Sequence, residues 1–134
     1  MEKEITTARI VAGAVIRKDG RYLLVQEKQP KAYGLWNFPA GHVDVGDTFE
    51  QTVILEAKEE SGYDVKVLRK IGIFQRIPTE SVKHAFEVEI VGGELAFSED
   101  EILDAQWFTV DQIRNMKDQL RDPWVIEVIE ILEK

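Results

Sequence analysis

The 134-residue chain contains no cysteine. No disulfide or thiolate metal site can therefore support its fold, and the composition suits a reducing compartment. Long hydrophobic runs are missing too. The opening segment, MEKEITTARIVAGAVIRKDG, holds one short apolar run, interrupted by Gly13 and ended by Arg17. No stretch approaches the roughly 20 apolar residues that a membrane span needs. A soluble, cytoplasmic protein with no membrane partner is expected. Positive charge is also scarce: 17 Lys and Arg stand against 25 Asp and Glu, a formal net charge of −8. This argues against a nucleic acid polymer as partner, because such binding draws on clustered basic side chains. A small phosphorylated ligand stays open, since a bound metal reverses the local field. No repeat, low-complexity tract or linker divides the chain. One domain over residues 1–134 is expected.

What is present reads as a layered α/β pattern. Residues 9–16, RIVAGAVI, form a buried strand, and an Asp-Gly turn leads into the return strand YLLVQE. YDVKVLRKIGIF reads as one or two strands. In VKHAFEVEIVGG, Val82, His84, Phe86, Val88 and Ile90 share one face, which makes His84 an inward-facing residue. ELAF and AQWFTV are further strand candidates. Thr109 and Gln112 spell a capping box for a short helix. Asp122 and Pro123 offer an N-cap and first position for a last helix with the apolar stripe Trp124, Val125, Val128, Ile129 and Leu132. The sum is an α/β fold, a sheet with helices on both faces.

The most informative stretch is FPAGHVDVGDTFEQTVILEAKEESGYDV. Thr48 and Gln51 predict a helix start, and Gly62 sits just past its end, so residues 48–61 are expected to be helical. On a helical wheel Glu56 and Glu60 fall about 20° to either side of Phe49, and Glu59 about 80° away. Two of these carboxylates thus join the apolar stripe of Phe49 and Val53, and the third flanks it. Acidic helices ordinarily turn their charges to water. Here three acids crowd together against apolar neighbours, and no Lys or Arg lies on their arc. A hard divalent cation, Mg²⁺ or Mn²⁺, answers that repulsion. The preceding turn, PAGHVDVGD, brings a free carbonyl near Ala40 or Gly41 within range as another oxygen ligand.

This segment resembles the signature box of the Nudix hydrolases. That pattern runs Gly, five residues, Glu, seven residues, then Arg-Glu-aliphatic-x-Glu-Glu-x-Gly-aliphatic. Here it reads Gly41, five residues, Asp47, seven residues, Leu55, Glu56, Ala57, Lys58, Glu59, Glu60, Ser61, Gly62, Tyr63. The spacing matches throughout, and the surrounding order of segments is similar over nearly the whole chain. Three positions depart: Asp47 for Glu, Leu55 for Arg and Tyr63 for an aliphatic residue. The resemblance implies a Nudix fold, an α/β/α sandwich around a central mixed β-sheet. LWNFPAGHVD and LRDPWVIEVIE are similar to a branch of small bacterial phosphatases acting on nucleoside di- and triphosphates and a thiamine-pyrimidine pyrophosphate.

The activity so implied is metal-dependent hydrolysis of a nucleoside diphosphate linked to another group, by water attack at phosphorus. The resemblance names Glu56, Glu59 and Glu60 as metal ligands, with Ala40 the candidate carbonyl ligand. It also makes Glu56 the first candidate for the catalytic base. Glu101 is a loop rival for that role, ahead of Glu99 and Asp100. Trp36, with Tyr33 and Phe38, is a candidate surface for stacking on a base. Arg121, placed just before a predicted helix N-terminus, is the preferred phosphate contact over Arg76 and Lys83. The expected partner is a small phosphorylated substrate, a nucleotide above all, bound by a monomer or homodimer. The rival reading, supported by Leu55 and Asp47, is a nucleotide-binding or sensing module of the same fold with weak or no catalysis.

Overall fold

The structure is a computed structural model and describes residues 3–134. Its centre is a mixed sheet. β1 (Arg9–Lys18) and β2 (Arg21–Glu27) form a hairpin, followed by the short β3 (Trp36–Asn37) and β4 (Ala40–His42). β5 (Tyr63–Gln75), β6 (Ser81–Gly93) and β7 (Ile102–Thr109) complete it. The order is β3-β2-β1-β6-β5, with β4 also on β1 and β7 on β2. β1 and β6 run parallel, from Arg9 beside Ser81 to Ile16 beside Val88. The other pairs are antiparallel. β1 takes the central place because its middle is apolar on both faces, and Ala12 to Ile16 are all buried.

Alternation along β1 and β2 divides the core in two. Ile16, Leu23 and Val25 meet Val53 and Ala57 of α1 (Phe49–Ser61). Val15, Tyr22 and Leu24 meet Ile113 of α2 (Val110–Arg114) and Trp124, Val125, Val128 and Ile129 of α3 (Trp124–Leu132). Helices therefore cover both faces, the sandwich expected from the sequence. Trp124 sits so close to β1 that a Cβ on Gly13 would stand 2.6 Å from its ring.

The local signals for helices are realised. The hydroxyls of Thr48 and Thr109 accept from the N–H groups of Gln51 and Gln112, and each Gln side chain accepts the N–H of its Thr. Gly62 ends α1 at φ 83°, with its N–H on Lys58 O. A Cβ there would meet backbone of residues 94–96, so only glycine suits this cap. His84 is 8 % exposed and lies against the Phe49 ring, 4.4 Å between centroids.

One strand reading is resolved and one changes. YDVKVLRKIGIF is part of one 13-residue strand, β5, whose ladder with β6 slips at three places. Each slip shifts which side chains face the core, and this hides a single strand behind an irregular pattern. ELAF is not a strand. It folds back over the end of α1, with Ala96 N–H on Ser61 O and Phe97 packed on the α1 side of the core.

Candidate active site

α1 lies across the open edge of β4, and its buried side chains set its rotation. Val53 and Ala57 point into the core, which leaves Glu56 and Glu60 half-buried beside them and Glu59 exposed at the rim. Between α1, β4, the end of β2 and the turn before β7 is a cavity of about 580 Å³. Glu56, Glu59, Glu60, Asp100, Glu101, Ala40 and Gly41 line it, with Glu27 from the end of β2 and Lys28 just after it. The expected carboxylates are thus brought together. Glu99 is not on the wall; its carbonyl accepts from Lys28 Nζ at 2.7 Å.

The electrostatics carry the strain foreseen for crowded acids. Burial, then the charges of Glu59, Glu101 and Asp44, push the Glu56 carboxyl up to about 7. Burial and the Glu56 charge push Glu60 well above the usual carboxylate range, against the opposing Ala40 N–H, which donates to Glu60 Oε1 at 3.0 Å. Ala14 N–H bonds Pro39 O and Val43 N–H bonds Ile10 O, so in the alternating ladder Ala40 turns its N–H and C=O away from β1, toward the glutamates. A Cβ on Gly41 would overlap the Glu56 carboxylate, so this glycine makes room for it. The set of oxygen donors, under-compensated in charge, fits a hard divalent cation. Among the described residues, no three Asp, Glu or His side chains converge closely enough to hold one as they stand. Lys28 is the cation that sequence reasoning overlooked, brought to the wall by its place just after β2 rather than by the helix.

The candidates outside the carboxylates fare differently. Trp36 is 8 % exposed, edge-on to Phe108 at 4.9 Å, and Phe38 is buried against Trp124. Both belong to the core and present no stacking surface; Tyr33 is exposed but does not line the cavity. Arg121 pairs with Glu27, Nε to Oε2 at 3.1 Å, on the wall of an adjoining cavity of about 170 Å³. The reason given for it from sequence does not hold. The start of α3 is already capped by Asp122 Oδ1, which accepts from Trp124 N–H at 2.7 Å. Asp122 also draws in Lys83 at 3.5 Å and Arg76 at 3.7 Å. Leu55 is 48 % exposed. Tyr63 packs its ring 6.2 Å from Trp107. Glu27 escaped the sequence reading because it reaches the site only through strand pairing.

Residues 6–129 match the family model of the NUDIX domain. The NAD-capped RNA hydrolase NudC of Vibrio atlanticus is 38 % identical over 98 residues, covering 73 % of this chain and 36 % of that protein. The chain spans about a third of the length of the first curated relatives it matches. A NUDIX hydrolase from Nitrosomonas europaea superposes with a TM-score of 0.80 at 29 % identity, covering 95 % of this chain and 89 % of that one. An ADP-ribose pyrophosphatase from Streptococcus suis does so at 0.70 and 27 %, covering 95 % and 91 %. No helix among the described residues is long and apolar enough to cross a membrane.

Proposed function

The chain belongs to the NUDIX family of hydrolases, and we propose that it hydrolyses a nucleoside diphosphate linked to another group, using Mg²⁺ or Mn²⁺ at the α1 carboxylates. The observation that carries this reading is the pair Glu56 and Glu60, held half-buried and short of positive charge in a cavity shared with Glu101 and Ala40. Glu56, Glu59, Glu60 and the Ala40 carbonyl are the proposed ligands. A bound cation supplies charge neutralisation for the phosphate oxygens. Glu56 faces the cavity beside the other carboxylates and is the proposed general base. In the proposed step it takes a proton from water as the oxygen attacks phosphorus. A new P–O bond forms, the anhydride P–O bond opposite it breaks, and the second phosphate leaves with its electron pair. Glu101 faces the same cavity and is the reserve base.

The direct test is a screen for phosphate and pyrophosphate release with Mg²⁺ or Mn²⁺. It covers nucleoside triphosphates, nucleotide sugars, ADP-ribose, dinucleoside polyphosphates and phosphorylated thiamine precursors. Metal-dependent turnover of at least one class is expected. Tight nucleotide binding without any turnover supports the sensing module instead, a reading that Leu55 favours. Where Leu55 limits the rate, Leu55→Arg raises kcat by about 10-fold or more, the scale on which an orienting partner acts. An unchanged kcat removes that explanation.

Two further outcomes separate the site from the scaffold. Gly41→Ala displaces the Glu56 side chain from its Cγ outward. Melting should hold within a few degrees while kcat/KM drops on the order of 100-fold, as misplacement of a reacting group does. Melting curves with EDTA and with Mg²⁺ give the second. The Glu56 carboxyl is raised from 4.5 to about 7 in the folded chain, so the folded state binds more protons than the unfolded one between these values. Stability of the metal-free protein therefore falls as pH rises through that window. A cation on the ionised carboxylates reverses the loss, so the metal-induced gain in Tm is larger near pH 8 than near pH 5. Equal gains at both would remove Glu56 and Glu60 from the metal site.

A further inference from the structure

The hydrolysis proposed above leaves the Glu27 carboxylate without a task. Glu27 ends β2, where the ladder with β7 slips. It lies on the wall common to the 580 Å³ cavity and the 170 Å³ cavity. Ala40, Gly41 and His42 also line both, so whatever is joined to the reacting phosphates has the smaller cavity as its nearest seat. Glu27 Oε2 is buried and accepts no hydrogen bond. Arg121 Nε, at 3.1 Å, is near enough to offset charge, but its N–H is not aimed at that oxygen. Oε1 has one long contact, 3.5 Å from Asn37 Nδ2.

A buried acceptor left without a donor is a standing cost, and a ligand that supplies the donor recovers it. The side chain of Arg121 is 41 % exposed, so it has room to turn aside. The walls of the smaller cavity are polar, with Gln29, Asn37, Glu80 and Ser81 among them, and no Phe, Tyr or Trp lines it among the described residues. Recognition there depends on hydrogen bonds, not on stacking.

We propose that Glu27 is the specificity-determining residue of this site: when Arg121 turns aside, its carboxylate accepts hydrogen bonds from adjacent donors on the nucleoside. Two sources present such donors, the 2′,3′-diol of a ribose and the N–H/NH₂ edge of a guanine. The inference rests on the proposed hydrolysis, and its test is separable from that of the hydrolysis. Wild type and Glu27→Gln are compared on ADP, 2′-deoxy-ADP, GDP and IDP, with inorganic tripolyphosphate as the donor-free control. The Gln side chain keeps the shape but turns one acceptor into a donor. Glu27→Gln should lower kcat/KM for the preferred nucleotide by about 10- to 100-fold. It should leave tripolyphosphate, or its inhibition constant, within two- to threefold of wild type on the same scale of single hydrogen bonds.

A ribo-over-deoxy preference that collapses in the variant assigns the diol; a GDP-over-IDP preference that collapses assigns the base edge. Preferences equal in both proteins overturn the proposal, as does a wild type with neither preference. Arg121→Gln distinguishes a direct role from a merely structural pair: with the competitor for Glu27 removed, it should keep the preference and bind at least as tightly as wild type, and loss of the preference there too would make Arg121 the reader. Should wild type hydrolyse none of these nucleotides, the same comparisons by calorimetric binding decide the proposal independently of turnover.

Discussion

Glu60→Gln should lower kcat by about 100- to 1000-fold, the cost of losing one well-placed electrostatic group, while the metal-free protein melts at a higher temperature than wild type. The two signs differ for one reason. Glu60 is held half-buried against its own acidity, with burial and the Glu56 charge both opposing ionisation. Gln is nearly isosteric, carries no charge, and its carbonyl can still accept the Ala40 N–H. The scaffold therefore gains what the chemistry loses. The gain should grow toward alkaline pH, because only there does wild type carry the full unfavourable charge. Glu59→Gln should lose activity on a similar scale with little change in Tm, because Glu59 is exposed. Paired kinetics and melts in EDTA check both. Full activity in either variant, or a drop in Tm for Glu60→Gln, would remove these residues from the roles assigned to them.

Trp124→Ala should be the most damaging single change to the scaffold, at about 3–5 kcal/mol. That is a large part of the ~5–15 kcal/mol by which domains are held folded. Trp124 is fully buried, edge-on to Phe38 and Phe74, and its Nε1–H donates to Asn37 Oδ1 at 2.8 Å. Truncation empties the space between α3 and β1 and takes a donor from a buried amide. Asn37 Oδ1 keeps the Phe38 N–H at 2.9 Å, so that oxygen is not orphaned and the loss is chiefly one of packing. Trp124→Phe should recover part of the loss. Denaturant unfolding of the two variants checks the ranking; equal stabilities would place the contribution of Trp124 in its hydrogen bond.

What could be read in the sequence was what neighbours along the chain decide. Thr48 with Gln51, and Thr109 with Gln112, each stand three positions apart, and both boxes form as written. The rotation of α1 also followed from spacing, since Val53 and Ala57 bury themselves wherever the helix docks, and this fixes where Glu56 and Glu60 point. Trp36 and Glu27 were misjudged or missed because pairing decides them. Trp36 is buried by Phe108, which comes from β7 on the far side of β2. Glu27 is delivered by the same pairing and by a one-residue slip that leaves no local trace. Arg121 was misjudged for a third reason: Asp122, already legible as the helix cap, takes up the helix start that was to lend Arg121 its anion site.

The tight approach of Trp124 to Gly13 also bears on how this chain can change over generations. A side chain at position 13 would press on the indole, 2.6 Å away, and on Ala40 Cβ, 3.2 Å away. Positions 13 and 124 are more than a hundred residues apart, yet their histories are tied. A lineage that acquires alanine at the first is expected to carry a smaller ring at the second, and the two substitutions should rescue one another when combined in the laboratory.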